Sequence, residues 1–254
     1  FQLVNKQKIK LGDKINVVVP TGNFGNILAA YYGKQMGLPI NKFICASNEN
    51  NVLSDFFKTG AYDKRRKLKL TESPSMDILV SSNLERLLFE GNGRNSEVVR
   101  DLMNDLNNNG IYMVTDKCRE FLNEFYGEYA EIEEIYEAID KLYKEENYLM
   151  DTHTAVGYVV MEKYQKDTGD KTPYLIASTA SPYKFPRSIC NAIGVEVSDK
   201  DDFEVLETLN RPTKKNIPAN LKNLKDEPIR HNNNCDKTEM VEALMSFVKV
   251  KNNV

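Results

Sequence analysis

The chain has 254 residues, 41% hydrophobic and 28% charged, a composition typical of folded globular proteins and not of disordered ones. Its 34 basic and 37 acidic residues leave a net charge of −3, without the basic excess that marks a nucleic-acid binder. No apolar run reaches the ~18 residues of a membrane-spanning helix, so neither nucleic acid nor membrane is expected as a partner.

In chain order, Ile15–Val19 is a β-branched run ended by Pro20 and reads as a buried strand. Thr21–Asn26 is punctuated by glycine, and Ile27–Met36 then reads as a helix stopped by Gly37 and Pro39. Lys42–Ala46 gives a second strand and completes a βαβ unit with a right-handed crossover. The basic run Lys64–Lys67 with Lys69 is either a solvated loop or a phosphate or nucleic-acid contact. Ser82-Asn83-Leu84-Glu85 has the spacing of a capping box. Helical spacing follows near Glu97–Asn107, Lys117–Phe125 and Glu131–Glu146, and Asp151 caps a further helix over Thr154–Gln165. Tyr174–Ser178 is a third strand, after which Ser181 and Pro182 open another helix. From Val197 the chain is more charged, with a closing helix at Thr238–Lys249. We therefore expect an α/β domain over 1–197 and a C-terminal extension over 198–254 packed on it.

The chemistry lies in Thr21-Gly22-Asn23-Phe24-Gly25-Asn26, between a buried strand and a helix. Glycines there allow a tight turn, and the unpaired first-turn N–H groups of the helix, with its dipole, favour a phosphate dianion. No Lys-Ser or Lys-Thr follows the second glycine, so this is no nucleoside-triphosphate loop. Spacing alone leaves three readings: phosphate binding, a plain strand-to-helix turn, or a dinucleotide loop with Glu49 as the ribose acid.

Four further blocks join this loop in one order. They are Ser73-Pro74-Ser75-Met76-Asp77-Ile78, Ser82-Asn83-Leu84-Glu85-Arg86, Asp151-Thr152-His153-Thr154-Ala155, and Ser178-Thr179-Ala180-Ser181-Pro182-Tyr183-Lys184-Phe185. Together they resemble the threonine synthases, which depend on pyridoxal 5′-phosphate (PLP). The resemblance implies a tryptophan-synthase-β-like α/β fold, mainly the large domain with a parallel sheet flanked by helices. It implies that Gly22, Asn23, Phe24, Gly25 and Asn26 hold the cofactor phosphate and that Thr179 faces the pyridine nitrogen. His153 either touches substrate or bonds to backbone near a helix start, and Lys184 is open to the same two readings. The intact enzyme would convert O-phospho-L-homoserine and water to L-threonine and phosphate.

The family's Phe-Lys-Asp-type segment, whose lysine carries PLP as a Schiff base, has no counterpart here. We therefore expect a fragment that is inactive alone and has the missing N-terminal part of the same protein as its partner. The rival readings are another PLP lyase or dehydratase of this fold, or a non-catalytic phosphate- or partner-binding homologue. Cys45, Cys118, Cys190 and Cys235 include no C-x-x-C pair, and with two histidines no metal site is expected. Scattered cysteines suit a reducing, cytoplasmic setting.

Overall fold

The structure is a computed structural model and describes residues 2–214 and 216–251. A short helix α1 (Gln2–Asn5) precedes β1 (Ile15–Pro20), α2 (Gly25–Gln35) and β2 (Ile40–Ser47). Next come α3 (Val52–Thr59), β3 (Ala61–Asp63), α4 (Leu84–Gly91), α5 (Ser96–Asn109) and β4 (Ile111–Met113). The chain continues through α6 (Asp116–Phe121), β5 (Phe125–Tyr129), α7 (Ile132–Glu146), α8 (Thr152–Thr168), β6 (Tyr174–Ile176), α9 (Pro186–Ala192) and α10 (Asp202–Thr213). Last are α11 (Ala219–Lys222) and α12 (Met240–Lys251). The chain forms two compact units, Phe1–Asn216 and Ile217–Val254.

The first unit is an α/β fold around a parallel sheet in the order β5-β2-β1-β6. β1 is buried over Val17–Pro20, as a central parallel strand covered on both faces should be. Alternation along the strand sends Val17 and Val19 to one face, where Phe43, Phe24, Ile27 and Leu28 join the main core. Helix α8 covers the other face so closely that a Cβ on Gly157 would lie 3.2 Å from Ile176 and 3.4 Å from Pro20. Phe43, Phe57 and Phe125 stack in the core, with ring centroids 4.9 and 5.2 Å apart across Phe125. β3 and β4 make a small antiparallel pair.

Several local expectations are corrected. Asn83, not Ser82, precedes α4, and Ser82 and Asn83 bond to Asn23 in the Thr21–Asn26 loop, so no capping box forms. The helical spacing over 117–125 breaks at Phe121 into a tight turn, and Phe125 starts β5 because its ring belongs to the aromatic core. Ser181 and Pro182 open a single 3-10 turn, Pro182–Lys184, and the helix proper starts at Pro186. The third strand closes at Ile176, although Ala177 still donates to the Val18 carbonyl at 2.9 Å.

The second unit holds α11, two 3-10 turns and α12, whose Met240, Val241, Leu244 and Phe247 are exposed. Among the described residues no helix is long and apolar enough to cross a membrane, and no residue cluster suits a metal ion.

Candidate functional site

The chain runs β1, β2, β5 in one direction across the sheet and then returns to β6 on the far side of β1. The order therefore reverses between β1 and β6, and ligands of open parallel sheets collect beyond the carboxyl ends of strands at such a reversal. The Thr21–Asn26 loop leaves β1 there, and the 177–181 segment leaves β6 beside it.

The loop's donors and acceptors are treated unequally. Its carbonyls are held: Ser81 Oγ donates to the Gly22 carbonyl at 2.8 Å, and Asn83 Nδ2 donates to the Asn23 carbonyl at 2.8 Å. Among the described residues, the N–H groups of Gly22, Asn23, Phe24, Gly25, Asn26 and Ile27 donate to no protein acceptor. They open α2, a helix of 11 residues with no carboxylate in its first turn, so its positive end is not neutralised there.

Phe24 fixes this geometry. It sits at φ 66°, a left-handed conformation that non-glycine residues seldom adopt, with its ring buried 6.0 Å from the Phe57 and Phe125 centroids. Such a backbone costs about 1–3 kcal/mol and persists where packing over-determines it. Gly22 is constrained differently: a Cβ there would stand 2.8 Å from the Ser75 carbonyl oxygen, so only glycine lets the Ser73–Asp77 turn approach.

That turn is held by Asp77, whose carboxylate accepts from Asn48 Nδ2 at 2.7 Å, Thr71 Oγ1 at 2.7 Å and Asn50 Nδ2 at 3.0 Å. Thr71 N–H donates to its other oxygen at 2.8 Å. Asn48 and Asn50 follow β2, so Asp77 ties the end of that strand to the turn against Gly22. Tyr62 supports the next segment, donating to the Leu79 carbonyl and accepting the Ser81 N–H at 2.8 Å; burial pushes its phenol up to about 12.

His153 is 3% exposed, and both ring nitrogens are engaged. Nε2 accepts the Ser75 N–H at 3.3 Å, and Nδ1 lies 3.3 Å from Asp151. Asp151 caps α8 through the N–H groups of His153 and Thr154. Burial raises the Asp151 carboxyl, but its bonds from His153 and Thr154 prevail and hold it below its ordinary value. The hydroxyl oxygens of Thr154 and Ser178 lie 3.4 Å apart, which links the start of α8 to the 177–181 segment. Thr179 is exposed at the β6 end, and Lys184 is exposed with its Nζ 5.2 Å from the centre of the Phe185 ring.

Sequence reasoning missed the supporting side chains Asn48, Tyr62, Asp77 and Ser81. Asn48 and Tyr62 have no local signal, since their partners lie 17 to 29 residues away. Glu49, the acid of the dinucleotide reading, pairs with Lys69 at 2.8 Å. The basic run is likewise paired in part, Arg65 with Asp63 and Arg66 with Asp55.

The family description "Threonine synthase, C-terminal" matches residues 154–245. The chain is 45% identical over 199 residues to human "Threonine synthase-like 1", covering 77% of the chain and 26% of that protein. It is 40% identical to the threonine synthase of Saccharomyces cerevisiae, covering 76% of the chain and 40% of that protein. The chain thus spans well under half the length of these two relatives. A solved structure described as PLP-bound threonine synthase from Brucella melitensis superposes with a TM-score of 0.74 at 33% identity, over 89% of this chain and 44% of that one. The yeast threonine synthase structure gives 0.72 at 37% identity, over 85% and 43%. With this agreement of sequence and fold, the chain belongs to the threonine synthase family, as a portion of the length of its members that includes their C-terminal region.

Proposed function

We propose that this chain is the cofactor-phosphate portion of a threonine synthase whose complete form converts O-phospho-L-homoserine and water to L-threonine and phosphate. The observation that carries the reading is the Gly22–Asn26 loop, with its N–H groups free and its carbonyls tied, at the mouth of a helix and the reversal of the sheet. A phosphate monoester of pyridoxal fits that donor set, which offers hydrogens and no competing carboxylate.

PLP, when bound, supplies an electron sink for charge that develops on the substrate carbons. The chain's own residues have the other tasks. The N–H groups of Gly22, Asn23, Phe24, Gly25 and Asn26 hold the phosphate. Thr179 offers the ring nitrogen a neutral hydroxyl, which does not enforce its protonation. Lys184, whose Nζ lies over the Phe185 ring, offers a cation for the substrate's phosphate. His153 keeps the Ser73–Asp77 turn against Gly22, and any contact of its ring with substrate would be made from that fixed position.

We place the lysine that carries the cofactor outside this chain, and infer that residues 1–197 serve the cofactor while 198–254 form an extension. The partner is then the remainder of the same protein. The half-exposed Leu175 and Tyr174 on edge strand β6, at 46% and 40%, support this, because an uncovered apolar edge strand is a surface for further chain. Four unpaired thiols, three of them buried, support a reducing, cytoplasmic compartment.

The test is to titrate the chain with PLP, reduce with borohydride, map modified lysines and assay phosphate release from O-phosphohomoserine. We expect inorganic phosphate to compete with PLP, labelling to be sparse and spread over many lysines, and no phosphate release. Stoichiometric labelling of one lysine together with turnover would show that this chain carries a complete site. Binding indifferent to inorganic phosphate would remove the loop from the proposal.

A further inference from the structure

A cleft of about 660 Å³ lies between α2, α4 and α5, away from the strand ends. Its volume falls within the ~300–1,000 Å³ of small-molecule sites. Phe89, Met103 and Tyr32 line it half-buried, with Val99 buried among them, so its floor is apolar.

The charges at its rim are unusual for this protein. Arg65, Arg66, Arg94, Arg119, Arg187 and Arg230 each hold a carboxylate or a backbone carbonyl. Among the described residues, Arg86, Arg100 and Arg211 have no such partner, and two of these three face this one cleft. Glu90, also at the rim, is already taken by Arg94 at 3.0 Å. Glu85 alone opposes the two free guanidinium groups, so the rim favours an anion of low charge over a polyanion.

We propose that this cleft is a second ligand site, for a small amphipathic carboxylate whose aromatic or branched body lies on Phe89 and Met103 while Arg86 and Arg100 take the carboxylate. Guanidinium groups suit that role because their paired N–H groups match the two carboxylate oxygens. The site uses no residue of the Gly22–Asn26 loop, and its test does not depend on the loop's function.

3-Phenylpropionate titrated into the full chain and followed by two-dimensional amide NMR tests this. We expect saturable shifts centred on Tyr32 and residues 85–104. The combined Arg86→Gln and Arg100→Gln substitutions should weaken binding about tenfold or more, since charge-assisted bonds are lost. Arg211→Gln should leave it unchanged. The neutral 3-phenylpropanamide should bind about as weakly as the acid binds the double variant. All of the substituted side chains are exposed, so the fold should survive, and an unchanged amide spectrum outside the cleft checks this. Equal binding of the acid and the amide, undiminished binding to the double variant, or shifts centred elsewhere would overturn the proposal.

Discussion

Strands β1 and β6 are hydrogen-bonded neighbours, and the cofactor site we propose draws one end from each, but their surroundings differ sharply. β1 is buried from Val17 to Pro20 and leads into a loop held by Ser81, Asn83, the Ser73–Asp77 turn and the Phe24 ring. β6 is three residues long with Tyr174 and Leu175 exposed, and Thr179 beyond it is exposed as well. The proposed phosphate end is thus a finished structure, whereas the proposed ring end is an open edge. Such a chain should grip an anion in a defined place without fixing the molecule attached to it.

Substitutions that enter the finished end should cost most. Gly22→Val forces side-chain atoms into the Ser75 carbonyl, which is backbone and cannot rotate away. We expect a loss of about 3 kcal/mol or more in denaturant unfolding, from overpacking at a site with no room to yield. A smaller penalty would mean that the turn is not held against the loop.

Asp77→Ala comes next. It removes an acceptor for three side chains and one backbone N–H at the end of β2, and takes from Asn48, which is 1% exposed, its shortest bond, leaving it Thr71 and Ser73. A destabilisation of about 2–3 kcal/mol is expected. Asp77→Asn should recover only part of it, since an amide offers one acceptor oxygen in place of two.

Asp151→Asn tests the α8 end at a lower level: asparagine keeps the cap, but the carboxylate charge that faces His153 and takes the Thr154 hydroxyl is lost, about 1 kcal/mol. The pH dependence has a defined sign. The folded carboxyl lies below its ordinary value, so its stabilisation is present above the unfolded carboxylate range, about 3.9, and is lost as pH falls through the folded value. Unfolding at stepped pH should show the gap between Asp151 and the Asn variant narrowing in acid. A gap that widens there would reverse the assignment.

At the open end, Thr179→Ala should change stability by no more than about 0.5 kcal/mol, as for an exposed side chain. Its affinity for inorganic phosphate should be unchanged. A large loss of either would mean that the β6 side is more finished than its exposure indicates.

The finished end was also the legible one. A β-branched run, a glycine-punctuated turn and an amphipathic stretch are local signals, and β1, the loop and α2 appear where those signals place them. The cap at Asp151 was legible for the same reason, because its acceptors and donors are three residues apart or fewer. What escaped depends on distant partners. β5 starts at the end of a stretch with helical spacing, and its strand character comes from pairing with β2 and from Phe125 entering the aromatic core. Ser82 has the spacing of a cap, but Asn23, 59 residues earlier, claims its hydroxyl. No spacing rule gives Asp77 its ring of donors, since the turn and the end of β2 meet only in the folded chain. The Thr179 assignment rests on the family resemblance alone.

The central claim is that the free N–H groups of the loop form the phosphate site. It is tested most directly by titrating isotopically labelled chain with inorganic phosphate and following the backbone amides. The account predicts saturable shifts at Gly22–Ile27, with 177–181 and Lys184 little changed until PLP replaces phosphate. Amides of the loop that stay unmoved while phosphate binds elsewhere, or does not bind, would contradict it.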